Sequence, residues 1–400
     1  MNLTMWVWIK ELWPSLWPTL AAIAIILAVV PLMGLYMTFI ERKLAAYVQD
    51  RIGPNRVGPF GLLQAVADGI KIFLKEQVIP DHVYTSLYFL APALSLMTAM
   101  FAVVVMPFGP VATDYKEGFR FIVQPGNDIG ILFMMAISSL SAYGIIVGGW
   151  ASNNKYSIYG AIRSCAQFIS YEIPLGLSLV GVIAIAGSLN IEKIVAAQSG
   201  SILDWNVCWQ PLALLIFFTA ALAETNRLPF DLPECEQELV GGFHTEYSGI
   251  KFVLFFLAEY THIVTVSFLT ALLFFGGWHF PGLPSATGGS MSGMFLGLLV
   301  LLAKVAVVVA FIMLLRWALP RFRFDQLMGL AWKGLIPMGL IHLVGVAIVL
   351  TLGLPKHLLI LTAALPIVAA YYSSIKFNAS MAQLTAPGSG VRKAHAVSYE

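Results

Sequence analysis

Apolar residues run in long, almost unbroken blocks along the chain, and polar residues collect between them. Eight blocks reach the roughly 20 residues an α-helix needs to cross a bilayer: 19–40, 86–107, 128–149, 166–187, 207–227, 251–275, 295–316 and 334–354. A ninth, 357–375, is shorter and follows almost at once on the eighth. The pattern predicts an all-α, polytopic transmembrane helical bundle of eight spans with an additional C-terminal ninth. It excludes an outer-membrane barrel, whose strands alternate apolar and polar positions over about 10 residues.

The residues between the blocks set the orientation. The first ten residues carry only Lys10 as a basic residue, whereas IERK follows the first block. That block is longer than the roughly 7–15 residues of a signal-peptide core, and no small-residue cleavage pattern follows it. It reads as a retained first span with its N-terminus outside. Trp6, Trp8, Trp13 and Trp17 suit an interfacial aromatic belt. With nine spans, the inside segments hold 17 of the 23 Lys and Arg; outside lie only Lys10, Lys116, Arg120, Lys193 and Lys356, and Lys304 falls within a span. This asymmetry satisfies the positive-inside rule.

Two inside connections stand out within a single integral domain, residues 1–377; the polar tail, 378–400, is expected to be disordered. In the first, 41–85, the segment RIGPNRVGPFG carries the turn-forming prolines and glycines of a defined irregular loop. After it, Leu63, Val66, Ala67, Ile70, Phe73 and Leu74 fall on one helical face, while Gln64, Asp68, Lys71 and Lys75 fall on the other. That spacing predicts a helix lying in the inner interface, apolar side down. The second, 224–250, contains AETNRLPFDLPECEQELVGGFHTEY, with six acidic residues and one Arg. Pro229 and Pro233 stop any helix begun in the fifth span.

Composition narrows the chemistry. Charged residues are 11% of the chain and the formal net charge is +2, so the basic residues are loop anchors and give no nucleic-acid surface. Cys165, Cys208 and Cys235 form no CxxC pair, which leaves zinc, iron–sulfur and haem-c sites unsupported. His244 and His262 have no third ligand at metal-binding spacing and read as polar bundle histidines; no metal site is predicted.

Ionisable residues inside spans are the strongest functional pointers, since each costs about 2.5–3.5 kcal/mol at mid-helix on insertion scales. Glu172 lies in FISYEIPLG, Glu224 at the inner end of span five, Glu259 in FFLAEYTHIV and Lys304 in LLVLLAKVAVVV. The three glutamates fall toward the inner half, on the side of Asp231, Glu234, Glu236, Glu238 and Glu246. Carboxylates crowded in low dielectric raise one another's pKa and can hold and pass protons near neutrality.

ERKLAAYVQDRIGPNRVGPFGLLQAVADGIKIFLKE, AETNRLPFDLPECEQELVGGFHTEYSGIKFVLFFLAEYTH and AQFISYEIPLG, in this order and context, resemble the signatures of the NuoH family. That family is the membrane heel subunit forming the quinone site of proton-pumping NADH:quinone oxidoreductase, respiratory complex I. The resemblance covers about residues 15–355. It implies quinone as substrate, no redox cofactor in this chain, and FMN and iron–sulfur clusters in partner subunits. Peripheral-arm subunits at the quinone site and small membrane-arm subunits are the implied partners, in a bacterial inner (plasma) membrane. By resemblance Arg42, Arg51, Arg56, Asp68 and Lys71 belong to the quinone chamber. Glu224, Arg227, Asp231, Glu234, Glu236 and Glu246 form an acidic funnel for proton transfer, continued inward by Glu172 and Glu259.

The family pattern has eight spans, so the ninth is a departure. Lys304 is not assigned by the signatures; its position suits a counter-charge to the buried glutamates. The alternatives are the homologous heel subunit of a membrane-bound hydrogenase, or of a quinone or phenazine oxidoreductase with a donor other than NADH. The full RIGPNRVGP loop and the intact acidic stretch favour the quinone enzyme over the hydrogenase.

Overall fold

A computed structural model describes residues 3–109, 126–283 and 291–368, and every regular element among them is helical. The long α1 (Leu3–Val48) is followed by the short α2 (Gln64–Phe73), then α3 (Thr85–Val104), α4 (Gly130–Ala151) and α5 (Lys155–Ala186). Two short helices, α6 (Ile191–Ala196) and α7 (Asn206–Trp209), precede α8 (Pro211–Glu224). A single turn, α9 (Glu236–Leu239), lies in the acidic connection before α10 (Ile250–Phe274) and α11 (Met291–Ala318). Next, α12 (Phe324–Gly329) and α13 (Ile336–Thr351) join through a π-helical turn, Leu330–Leu335, into one helix. The helix Lys356–Val368 ends the described chain. The side chains of Lys10, Trp6, Trp8, Trp13 and Glu236 lie outside the described residues, as do Lys116, Arg120, the ninth block beyond residue 368 and the polar tail.

Among the described residues seven helices are long and apolar enough to cross a membrane, and they coincide with predicted spans one to four and six to eight. The fifth departs from expectation. Residues 207–227 do not form one span: the helix breaks at Gln210 (φ −130°, ψ 57°), before Pro211, and α8 has only 14 residues. At 1.5 Å per residue it covers about 21 Å, short of the roughly 30 Å apolar core. The pre-proline position disfavours helical geometry, which accounts for the break.

What backs this short helix is a network of buried amides. Gln210 Nε2 donates to the Gly181 carbonyl at 3.0 Å, and Asn206 Nδ2 donates to the Leu273 carbonyl at 2.7 Å. Gln198 donates to the Leu272 carbonyl and accepts from the backbone amides of Asn206 and Gly276. In an apolar interior, broken helix ends need such partners.

The core is built around α10, whose residues from Ala258 to Phe274 are all buried. It packs on α1, α3 and α11, and α5 packs on α4, α8 and α13. Asn154 caps α5 through the Tyr156 amide, and Gly187 ends it in left-handed geometry (φ 66°). On α2 and its two capping residues, Leu63, Val66, Ile70, Phe73 and Leu74 are exposed while Ala65 is buried. This unpartnered apolar face agrees with a helix lying at a bilayer surface.

Candidate functional site

The acidic connection folds inward beneath the bundle and is held there by hydrogen bonds. Gln167 on α5, fully buried, donates from Nε2 to the carbonyls of Ala223 and Phe230, both at 2.8 Å. Tyr88 donates to the Glu246 carbonyl at 2.6 Å and stacks on Tyr247 at 4.3 Å. Gly242 has φ +61°, and a Cβ there would overlap the Pro233 carbonyl, so this turn accepts no side chain.

Folding the loop inward brings charges together. Arg227 Nη2 lies 3.5 Å from Glu259 Oε2, each about 8% exposed, and its guanidinium sits over the rings of Tyr260 (4.3 Å) and Phe256 (4.9 Å). Arg321 donates to Asp231 at 2.8 Å, and Glu234 lies 3.3 Å from His244 Nε2. Glu41 accepts from both Tyr260 and Arg316. Four carboxylates, Glu41, Asp231, Glu234 and Glu259, thus meet three guanidiniums, those of Arg227, Arg316 and Arg321. Carboxylates crowded in low dielectric are relieved by retaining a proton. Burial, then Glu234, pushes the Asp231 pKa up to about 7 against the pull of Arg321.

A static ion-pair network would leave few polar atoms idle. Here Arg227 Nε and Nη2, Asp231 Oδ1, both Glu259 oxygens and Arg321 Nε are buried without a protein hydrogen-bond partner. Spare capacity on both donors and acceptors suits a site where protons or water are exchanged.

Farther along the spans, Glu172 and Glu224 line one small cavity of about 20 Å³ with Ser138, Ser139, Phe168 and Tyr171. The Ser139 hydroxyl donates to Glu172, and Ser138 stands beside Glu224. At the inner surface, Arg42, Arg51, Arg56 and Gln64 line an open cavity of about 850 Å³ with the loop residues Ile52 to Asn55. Asp68 on α2 holds Arg42 at 2.5 Å.

The structure therefore gathers Arg227, Asp231, Glu234 and Glu259 into one junction, pairs Glu172 with Glu224, and places Arg42, Arg51 and Arg56 around the surface cavity, with Asp68 paired to Arg42 but outside the lining. Lys71 is exposed and lines no part of that cavity. Glu246 stands apart, against Asn154 (2.6 Å) and His82 (3.8 Å). Lys304 is no counter-charge to the glutamates. Its Nζ donates to the carbonyls of Phe275 (2.6 Å), Gly277 (2.8 Å) and His279 (2.6 Å), closing the C-terminal end of α10 over the Trp205 ring. Sequence reasoning overlooked Glu41, Tyr260, Gln167, Arg316 and Arg321. The arginines were legible only as topology anchors; Glu41, in IERK at the inner end of the first span, carried the clearest signal.

Fold and junction define a polytopic membrane protein that keeps protonatable groups buried within its helices. The family described as NADH dehydrogenase matches residues 21–347. The chain is 50% identical over 314 residues to the H subunit of the NADH-quinone oxidoreductase of Leptospira biflexa, an alignment covering 76% of this chain and 87% of that protein. It is 47% identical to the H subunit of the Protochlamydia amoebophila enzyme (77% and 90% covered), and 44% identical to NADH-quinone oxidoreductase subunit 8 of Rhodothermus marinus (84% and 97%). The chain belongs to this family, in the NuoH branch that supplies a subunit of NADH-quinone oxidoreductase.

Proposed function

We propose that this chain forms the quinone chamber of a proton-pumping NADH:quinone oxidoreductase and links quinone reduction to proton translocation through its buried acids. The observation that carries the reading is the gathering of Glu41, Asp231, Glu234 and Glu259 with Arg227, Arg316 and Arg321 in one junction of the same chain that holds the arginine-lined surface cavity and the Glu172–Glu224 pair. Reducing a quinone to a quinol consumes two electrons and two protons. The electrons come from partner subunits that carry FMN and iron–sulfur clusters. Protons withdrawn near the headgroup change the occupancy of Asp231, Glu234 and Glu259, and the irregular acidic loop relays that change to Glu224.

The exposed apolar face of α2 offers the quinone tail a greasy approach from the bilayer. Glu172 has an exposed side chain halfway along α5. A carboxylate at that depth is too costly to leave against lipid, so a helix of a small membrane-arm partner covers it. The N-terminus lies on the outer side of a bacterial inner membrane.

The test is inhibitor-sensitive NADH:quinone reductase activity in the complex purified through a tag on this chain, followed by the same assay with Glu224→Gln. The expected result is a variant that assembles normally but reduces quinone and pumps protons at least about tenfold more slowly. Normal turnover and pumping would remove Glu224 from the route.

A further inference from the structure

Glu224 lines a second cavity besides the one it shares with Glu172. This second space, also about 20 Å³, is walled by apolar residues such as Met134, Phe217 and Leu269, and its polar lining is Ser138, Glu224, His262 and Thr265. The Thr265 hydroxyl is committed to the Thr261 carbonyl at 2.9 Å, and Ser138 donates to the Met135 carbonyl at 3.0 Å. The titratable groups facing this space are Glu224 and His262.

His262 is 7% exposed, and among the described residues no hydrogen bond or neighbouring charge acts on its ring. A buried imidazole without a partner is costly, so a residue of this type in an apolar helix needs a reason. A space of about 20 Å³ exceeds the roughly 10–15 Å³ that one water requires, and the site offers that water a carboxyl, an imidazole and a hydroxyl. His262 also lies three residues beyond Glu259 on α10, within the same helical face. It therefore shares a cavity with Glu224 and a helical face with Glu259.

Resting on the NuoH reading above, we propose that His262 is a proton-relay residue, connected to Glu224 through one water in this cavity and joining the Glu259 junction to the Glu172–Glu224 pair. A protonated Glu224 gives its proton to the water, and the water gives one of its own to a ring nitrogen of His262. The imidazolium releases the proton on its other nitrogen toward the Glu259 end of α10, three residues away on the same face, and the reverse sequence runs when occupancies invert. Imidazole suits this role because it accepts at one nitrogen while releasing from the other.

The experiment uses the intact complex in proteoliposomes carrying His262→Gln, which hydrogen-bonds but does not titrate. Quinone-linked NADH oxidation and proton translocation are both expected to fall about 10-fold or more. NADH oxidation by ferricyanide, which bypasses this chain, stays at the wild-type rate. His262→Asn, of smaller volume, shows the same split, and His262→Glu, which again carries a proton, recovers much of the lost rate. Wild-type rates in His262→Gln, or a His262→Glu variant no better than His262→Gln, overturn the proposal. A wild-type complex that reduces no quinone with NADH would remove the NuoH reading itself, and would do so before any variant is made.

Discussion

Arg321 donates to Asp231 at 2.8 Å, yet Asp231 does not titrate as an ordinary ion-paired carboxylate. Burial, and then Glu234, push its pKa up to about 7, outweighing Arg321 and Arg227. Burial also opposes the ionisation of Glu234, but there His244 and Arg227 win and hold its pKa below the usual carboxylate range. The two acids divide the work: Glu234 carries the charge and Asp231 holds a proton near neutrality.

The sign of the resulting pH dependence is fixed. Asp231 binds its proton more tightly folded (about 7) than unfolded (about 3.9), so this term stabilises the fold fully below about pH 4 and fades as pH rises through 7. Asp231→Asn cannot ionise and should flatten the dependence between those limits. Thermal unfolding of the purified complex at a series of pH values measures this. An unchanged slope in the variant would place the titration elsewhere.

Arg227 is held by shape as well as charge, with its guanidinium over Tyr260 and Phe256 and an end toward Glu259. A lysine keeps the charge but loses the planar stacking and the fork of donors. Arg227→Lys should assemble yet lose quinone reductase activity. Arg227→Ala strands Glu259 in the interior at a cost of about 3–5 kcal/mol, and should lower the yield of complex. Yield and rate per complex, measured together, separate the two effects.

Seven of the spans were legible because a long helix in lipid must be apolar along its length, and composition alone reports that. The fifth was not. Its apolar block spans the polar Gln210, and the proline at 211 marks the break that the buried Gln198, Asn206 and Gln210 amides make tolerable. The acids of the site were visible as charges out of place, whereas the basic half was not. Arg316 and Arg321 read like any inside anchors until the fold turned them onto Glu41 and Asp231. Lys304 was visible but stayed unassigned, its position suiting a counter-charge, since a sequence shows that a buried cation needs acceptors but not that backbone carbonyls provide them.

Gly242 tests whether the inward fold of the acidic loop matters to the chemistry. A Cβ there meets both a left-handed backbone (φ +61°) and the Pro233 carbonyl. Gly242→Ala therefore costs more than the roughly 1–2 kcal/mol of the backbone conformation alone. Because Glu234 adjoins Pro233, the loop must move where its charge is placed. The expected outcome is an assembled complex with reduced quinone reductase activity and faster proteolysis of the loop; a wild-type rate would mean the loop's position is not critical.

Lys304 allows a clean separation of stability from coupling. Its ammonium satisfies three carbonyls that follow the end of α10, at 2.6–2.8 Å, and touches no glutamate of the junction. Lys304→Met fits a similar volume but leaves those carbonyls unanswered, at about 1–3 kcal/mol for each that finds no water. The variant should lower the melting temperature and the yield of the complex, while each assembled complex reduces quinone and pumps protons at the wild-type ratio. A changed ratio of protons to quinol in well-assembled Lys304→Met would return the lysine to the proton route, and with it the idea that the charge, rather than the cap, is what this position requires.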